Sequence, residues 1–125
     1  MGRIRQMINI NGRECWTLFD TGSRNTYVVS EVASLLTTSK LKKPFRSALA
    51  GKNKETTETA LLEAEVEGRR ISTHAMVIDE IGDDENGIPI EILFGTLVMQ
   101  QWGIRLIPEQ EKLDLTHYPE EFVEF

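Results

Sequence analysis

The chain holds a single cysteine, Cys15, so no disulfide can form within it and its stability must come from a packed core. A lone thiol fits a reducing compartment, and a cytoplasmic location is the expectation. Histidine is scarce as well. His74 and His117 stand far apart, which makes a weak case for a metal site. No apolar run approaches the length of a membrane span, and the opening residues lack the apolar stretch of a signal peptide, so no membrane partner is expected. Basic residues are outnumbered: 14 Lys and Arg against 20 Asp and Glu leave a net charge of −6. Phosphate binding needs a basic face, which argues against nucleic acid as a partner.

What remains is ordinary globular material, 40% hydrophobic and 27% charged, enough for one domain of 125 residues. Short apolar stretches broken by turn signals dominate. Arg3 to Ile10 reads as a strand, Asn11-Gly12 as a hairpin turn, and Cys15 to Phe19 as the returning strand. Thr26 to Val29 is another strand, after which Ser30 can cap a short helix, Glu31 to Leu36. Lys40, Lys42, Lys43 and Pro44 make a basic connector before a strand from Phe45 to Leu49. Ala50 to Asn53 turns the chain into a long strand, Thr56 to Val66, where Leu62, Ala64 and Val66 alternate with glutamates. Ile71 to Ile78 returns after Glu67-Gly68. The acidic stretch Asp79 to Gly87 lacks the ligand spacing of a calcium loop and reads as solvated. Ile88 to Phe94 is an apolar strand ending at Gly95, and Thr96 to Trp102 a short helix closed by Gly103. A last hairpin joins Ile104–Ile107 to Lys112–Leu115. Residues 1–115 thus form one mainly-β domain with two short helices. Residues 116–125 form an acidic tail with Tyr118, Phe122, Val123 and Phe125, able to pack on its own subunit or across a dimer.

One tetrapeptide stands out. Asp20-Thr21-Gly22-Ser23 closes the strand Trp16-Thr17-Leu18-Phe19 and occurs once. A fixed tetrapeptide arises by chance in roughly one chain of this length in 500. An acid at a strand end, followed at once by a turn, is where a carboxylate can be aimed into a cleft. The bland alternative is a turn aspartate capping its own backbone. Cys15 reads as a small core residue, since neither histidine is placed to activate it.

The order strand, Asp20-Thr21-Gly22-Ser23, strand, glycine-tipped hairpin, then Ile92-Leu93-Phe94-Gly95 and a helix resembles the retropepsin-like aspartic proteases. The resemblance runs from Ile4 to about Leu115. It implies a closed β-barrel assembled as a homodimer, with no metal or organic cofactor, that hydrolyses extended peptide or protein substrates. The family's catalytic aspartate falls on Asp20, with Thr21, Gly22 and Ser23 supporting its loop. The flap falls on Phe45 to Glu58, its tip at Ala50, Gly51 and Lys52. The second apolar–apolar–glycine motif falls on Ile92, Leu93, Phe94 and Gly95.

Chemistry gives these assignments content. Two carboxyls a hydrogen bond apart cannot both ionise, so they share a proton and serve as base and acid together. Only one such aspartate exists per chain; Asp79, Asp83, Asp84 and Asp114 lie outside any second motif. A working site then requires two chains about a two-fold axis. Thr21 is expected to bond across to its symmetry mate, and Ser23 to donate to the outer carboxylate oxygen. Two departures occur together: Arg24 stands where relatives commonly carry an acid, and Thr96 where they carry an arginine. Both are candidates for interface or substrate contact. The alternative to an enzyme is a dimeric module of this fold that binds peptides without cutting them.

Overall fold

The structure is a computed structural model, and it describes residues 2–124. Phe125 of the tail lies outside the described residues.

Strand β1 (Arg3–Ile10) turns at Asn11-Gly12 into β2 (Arg13–Asp20), with every residue paired from Ile10↔Arg13 to Arg3↔Asp20. Asn11 and Gly12 both take positive φ, 50° and 89°, the conformation a two-residue hairpin loop requires. The same turn recurs at Ala50-Gly51 and Glu67-Gly68. β3 (Tyr27–Val29) leads into α1 (Ser30–Ala33), then come β4 (Thr37–Leu49), β5 (Lys52–Val66) and β6 (Arg69–Ile78). Two-residue strands β7 (Gly82–Asp83) and β8 (Pro89–Ile90) pair with each other. β9 (Ile92–Phe94) precedes α2 (Thr96–Gln101), and β10 (Arg105–Ile107) pairs with β11 (Lys112–Asp114) across a 3-10 turn.

Seven strands form the main sheet in the order β1-β2-β9-β3-β6-β5-β4. The expectation of a closed barrel is not met. The sheet curls until β1 lies beside β5, but no ladder joins them, and β1 and β4 remain edges. The reason lies in β4–β5, whose outer half leaves the sheet: β5 pairs with β6 only from Thr59 onward, while Lys52 to Thr56 pairs with β4 alone. That outer half is a two-stranded ribbon.

Other expectations shift in detail. The basic connector Lys40 to Pro44 belongs to β4, which bulges between Lys40 and Phe45. The first helix stops at Ala33, and Ser30 lies within it, its hydroxyl donating to the Ile78 carbonyl instead of capping. The Ile88–Phe94 strand breaks at Glu91. There the backbone leaves β8 and the Glu91 carboxylate accepts from the Trp16 N–H at 3.1 Å and pairs with Arg13. The acidic stretch is anchored as well as solvated. Asp84 accepts from the Asn86 and Ile88 N–H groups and from Trp16 Nε1, which holds its carboxyl below the usual range, with the Ile88 bond the largest cause.

Strand alternation sorts the core. On β2, Cys15, Thr17 and Phe19 face the larger cluster, which also holds Ile92, Phe94 and Trp102. Leu18 and Asp20 face the other side, where Leu18 joins Tyr27, Leu49, Ile81, Ile90 and Leu93. The tail folds back on its own subunit: Tyr118 stacks on Trp102 at 5.9 Å and Phe122 meets the same indole edge-on at 5.5 Å. Among the described residues, no helix is long and apolar enough to cross a membrane.

Candidate active site

The carboxyl of Asp20 ends β2 on the face opposite Phe19, at the mouth of a cleft of about 410 Å³. Its residue is only 6% exposed. Leu18, Tyr27, Leu49, Ile81, Ile90 and Leu93 supply apolar walls. Arg3, Arg24, Asn25 and Asp83 supply the polar part of the lining.

The loop after Asp20 is tied at several points. The Gly22 N–H donates to Asp20 Oδ1 at 2.8 Å, and the Ser23 N–H to the Asp20 carbonyl at 3.2 Å. The Ser23 hydroxyl donates to the Asn25 carbonyl at 3.0 Å, not to Asp20 as expected. The chain turns between residues 23 and 25, which brings the hydroxyl over that carbonyl. Ser23 therefore supports the loop and does not touch the acid. Thr21 is also engaged within its own chain: its hydroxyl accepts from the Gly2 N–H at 2.7 Å and lies 3.2 Å from the Gly2 carbonyl as donor. β1 is what delivers Gly2 to Thr21.

Behind the loop, β9 runs parallel to β2 and antiparallel to β3, so Phe94 sits beside Phe19 with ring centroids 5.0 Å apart. Ile92 and Phe94 fill the large core while Leu93 faces the cleft. Gly95 donates to the Thr26 hydroxyl at 3.2 Å. α2 then starts directly against the loop, with Thr96 N–H donating to the Ser23 carbonyl at 2.7 Å and Leu97 N–H to that of Arg24 at 3.2 Å.

Of the hairpin tip, Ala50 reaches the cleft together with Ala48 and Leu49; Gly51 and Lys52 do not line it. The Lys52 ammonium lies 3.5 Å from Glu80, and that of Lys54 2.9 Å from Asp79, tying the ribbon to the segment after β6. The Lys54 bond is the main reason that the Asp79 carboxyl is held below its usual range. Arg24 lines the cleft, and Thr96 lies beside its backbone at the start of α2 without lining the cleft itself.

Arg3, Asp83 and Ile81 are among the cleft residues that the sequence did not single out. Arg3 places Nε 3.4 Å from Asp20 Oδ2, with its side chain 64% exposed. The register fixed by Asn11-Gly12 would have found it, since counting back from that turn sets residue 3 opposite residue 20. Asp83 and Ile81 come from the acidic stretch, whose polarity hid its wall-forming apolar member.

A family model described as aspartyl protease matches residues 7–98, well over half of the chain. No curated protein matches the sequence significantly. Among solved structures, the retroviral protease-like domain of Ddi1 from Leishmania major superposes with a TM-score of 0.63 at 14% identity, over 93% of this chain and 90% of that one. EIAV protease complexed with the inhibitor HBY-793 superposes with a TM-score of 0.57 at 22% identity, over 84% of this chain and 92% of that one. At those identities the likeness speaks for the fold.

Proposed function

Because the chain belongs to the aspartyl protease family and has the retropepsin-like fold, we propose that it is an endopeptidase whose site forms between the Asp20 carboxyls of two identical chains. The observation that carries this reading is Asp20 itself, a nearly buried carboxylate opening on an apolar-walled cleft beneath a hairpin tip. A second motif of this kind is missing from the sequence, so the partner acid comes from a second copy.

Each step uses the shared proton of that pair. The ionised carboxyl takes a proton from water as the water oxygen bonds to the peptide carbonyl carbon, and the protonated carboxyl gives its proton to the carbonyl oxygen. Collapse of the tetrahedral diol returns a proton to the amide nitrogen as the C–N bond breaks, leaving acid and amine. The Gly22 N–H fixes Oδ1 of each carboxyl, leaving Oδ2 for the reaction. Substrate lies extended in the cleft and pairs with backbone as an added strand. The hairpins around Ala50, Gly51 and Lys52 close over it and exclude water. No metal or organic cofactor takes part in these steps.

One observation favours a second reading, a dimeric module that binds peptides without cutting them. Arg3 sits on Asp20 Oδ2, the oxygen that the reaction needs. Its exposure leaves the guanidinium free to swing into solvent, so the protease reading is preferred. Asp20→Asn separates the two: it should abolish cleavage of a peptide library while leaving sedimentation and peptide binding intact. Turnover unchanged by this substitution would sink the protease reading.

A further inference from the structure

Four charged residues line the cleft: Arg3, Asp20, Arg24 and Asp83. Arg3 lies 3.4 Å from the Asp20 carboxylate. Among the described residues, no carboxylate lies within ion-pairing distance of the Arg24 guanidinium. Its backbone, by contrast, is held firmly, because its carbonyl accepts from Leu97 at the start of α2 and abuts Gly95. The residue that follows Gly95 is Thr96, which brings no charge of its own to the loop. A fixed backbone carrying an unpaired guanidinium at the rim of a peptide-sized groove is a recognition element for a carboxylate.

We infer that Arg24 selects peptides with an acidic side chain flanking the scissile bond. This rests on the proposed dimeric protease. The two-fold axis that pairs the Asp20 carboxyls also repeats Arg24, so the preference falls at matched distances on both sides of the bond. Asp83, on the β7–β8 hairpin, is the countercharge in the same cleft, and it disfavours acid where it reaches the substrate. The preferred substrate is therefore an extended segment with apolar residues at its centre, for the Leu18, Tyr27 and Leu93 walls, and Glu or Asp on both flanks.

One solvent-accessible ion pair supports about a fivefold preference, and two independent ones roughly 25-fold. The test compares peptides that differ only in Glu against Gln at each flanking position, using the full chain. For wild type, kcat/KM should favour Glu at one position on each side, through KM, and the preference should shrink as salt rises. In Arg24→Gln the Glu:Gln ratio should fall to about one, and in Arg24→Glu it should drop below one. A ratio near one in the wild type overturns the inference even if both variants misfold. The same peptides are titrated onto Asp20→Asn by anisotropy. Cleavage without a Glu preference removes the role of Arg24 and leaves the protease intact. Arg24-dependent binding of Glu peptides without cleavage does the reverse. Neither cleavage nor binding removes both.

Discussion

Gly95 packs its bare α-carbon against Arg24: a β-carbon there would stand 2.5 Å from the Arg24 carbonyl oxygen and closer still to that of Asn25. The φ of Gly95 is −92°, so the constraint is space and not backbone conformation. Both obstacles are backbone atoms that a rotamer change cannot clear. Gly95→Ala should therefore push α2 from the Asp20 loop and cost about 3 kcal/mol, the upper range for overpacking. Urea denaturation measures this directly. A variant as stable as wild type would mean that the close approach is absent.

Cys15 should be inert in the folded protein. Burial first, and the Glu91 carboxylate next, push its thiol up to about 11 from 9.0. Alkylation at pH 8 should be at least 100-fold slower in the native state than in denaturant, given the small thiolate fraction. The shift also sets a pH dependence. The unfolded thiol ionises first, so this contribution is complete below pH 9.0 and is lost as pH rises toward 11, by about 2–3 kcal/mol in all. Wild type should lose stability relative to Cys15→Ala across that window and not below it.

Asp84 gives the opposite sign. Its carboxyl is held low by the Ile88 N–H, with the Trp16 indole and the Asn86 N–H helping. Stability from such a group is full above its ordinary value of 3.8 and lost as pH falls through the lowered one. Asp84→Asn keeps an acceptor for the backbone but weakens the bond to Trp16 Nε1. The stability gap between wild type and this variant should be constant above pH 5 and close below about 3.8. Trp16 emission should shift in the variant at neutral pH.

The tail should contribute to the fold of its own subunit. Tyr118 covers Trp102, donates to the Arg70 carbonyl at 2.5 Å and lies beneath the Arg69 guanidinium at 5.1 Å. Tyr118→Ala should cost about 2 kcal/mol and move Trp102 emission to the red. A variant with wild-type emission and stability would show that the tail does not rest there.

Much of the site was legible because hairpin turns fix register. Asn11-Gly12 aligned β1 with β2, and the alternation in β2 separated Phe19 from Asp20. Ile92-Leu93-Phe94-Gly95 was legible as a motif whose last residue must be small. What escaped had physical reasons. Residues 37–44 of β4 are mostly exposed on both faces, so no alternation marks them as strand. Ile81 is a single buried residue within an acidic stretch, too little for a pattern. The hydroxyl of Ser23 meets the Asn25 carbonyl through the path of residues 23–25, which no sequence pattern marks. Barrel closure depends on how β4 leaves the sheet, which is a long-range property of curvature.

The hairpin that outruns its sheet divides the molecule in time as well as in space. From Thr59 inward, β5 has neighbours on both sides; beyond it the ribbon has its own partner strand, the buried Leu49 side chain in the smaller cluster, and the tethers Lys52–Glu80 and Lys54–Asp79. Two strands alone are marginal in water, so this end can lift without disturbing the rest of the ladder. Amide protons on residues 52–56 and 60–66 thus answer to different opening events. The first is governed by the Leu49 contact and a pair of salt-sensitive ammonium–carboxylate contacts, the second by the melting of the whole domain.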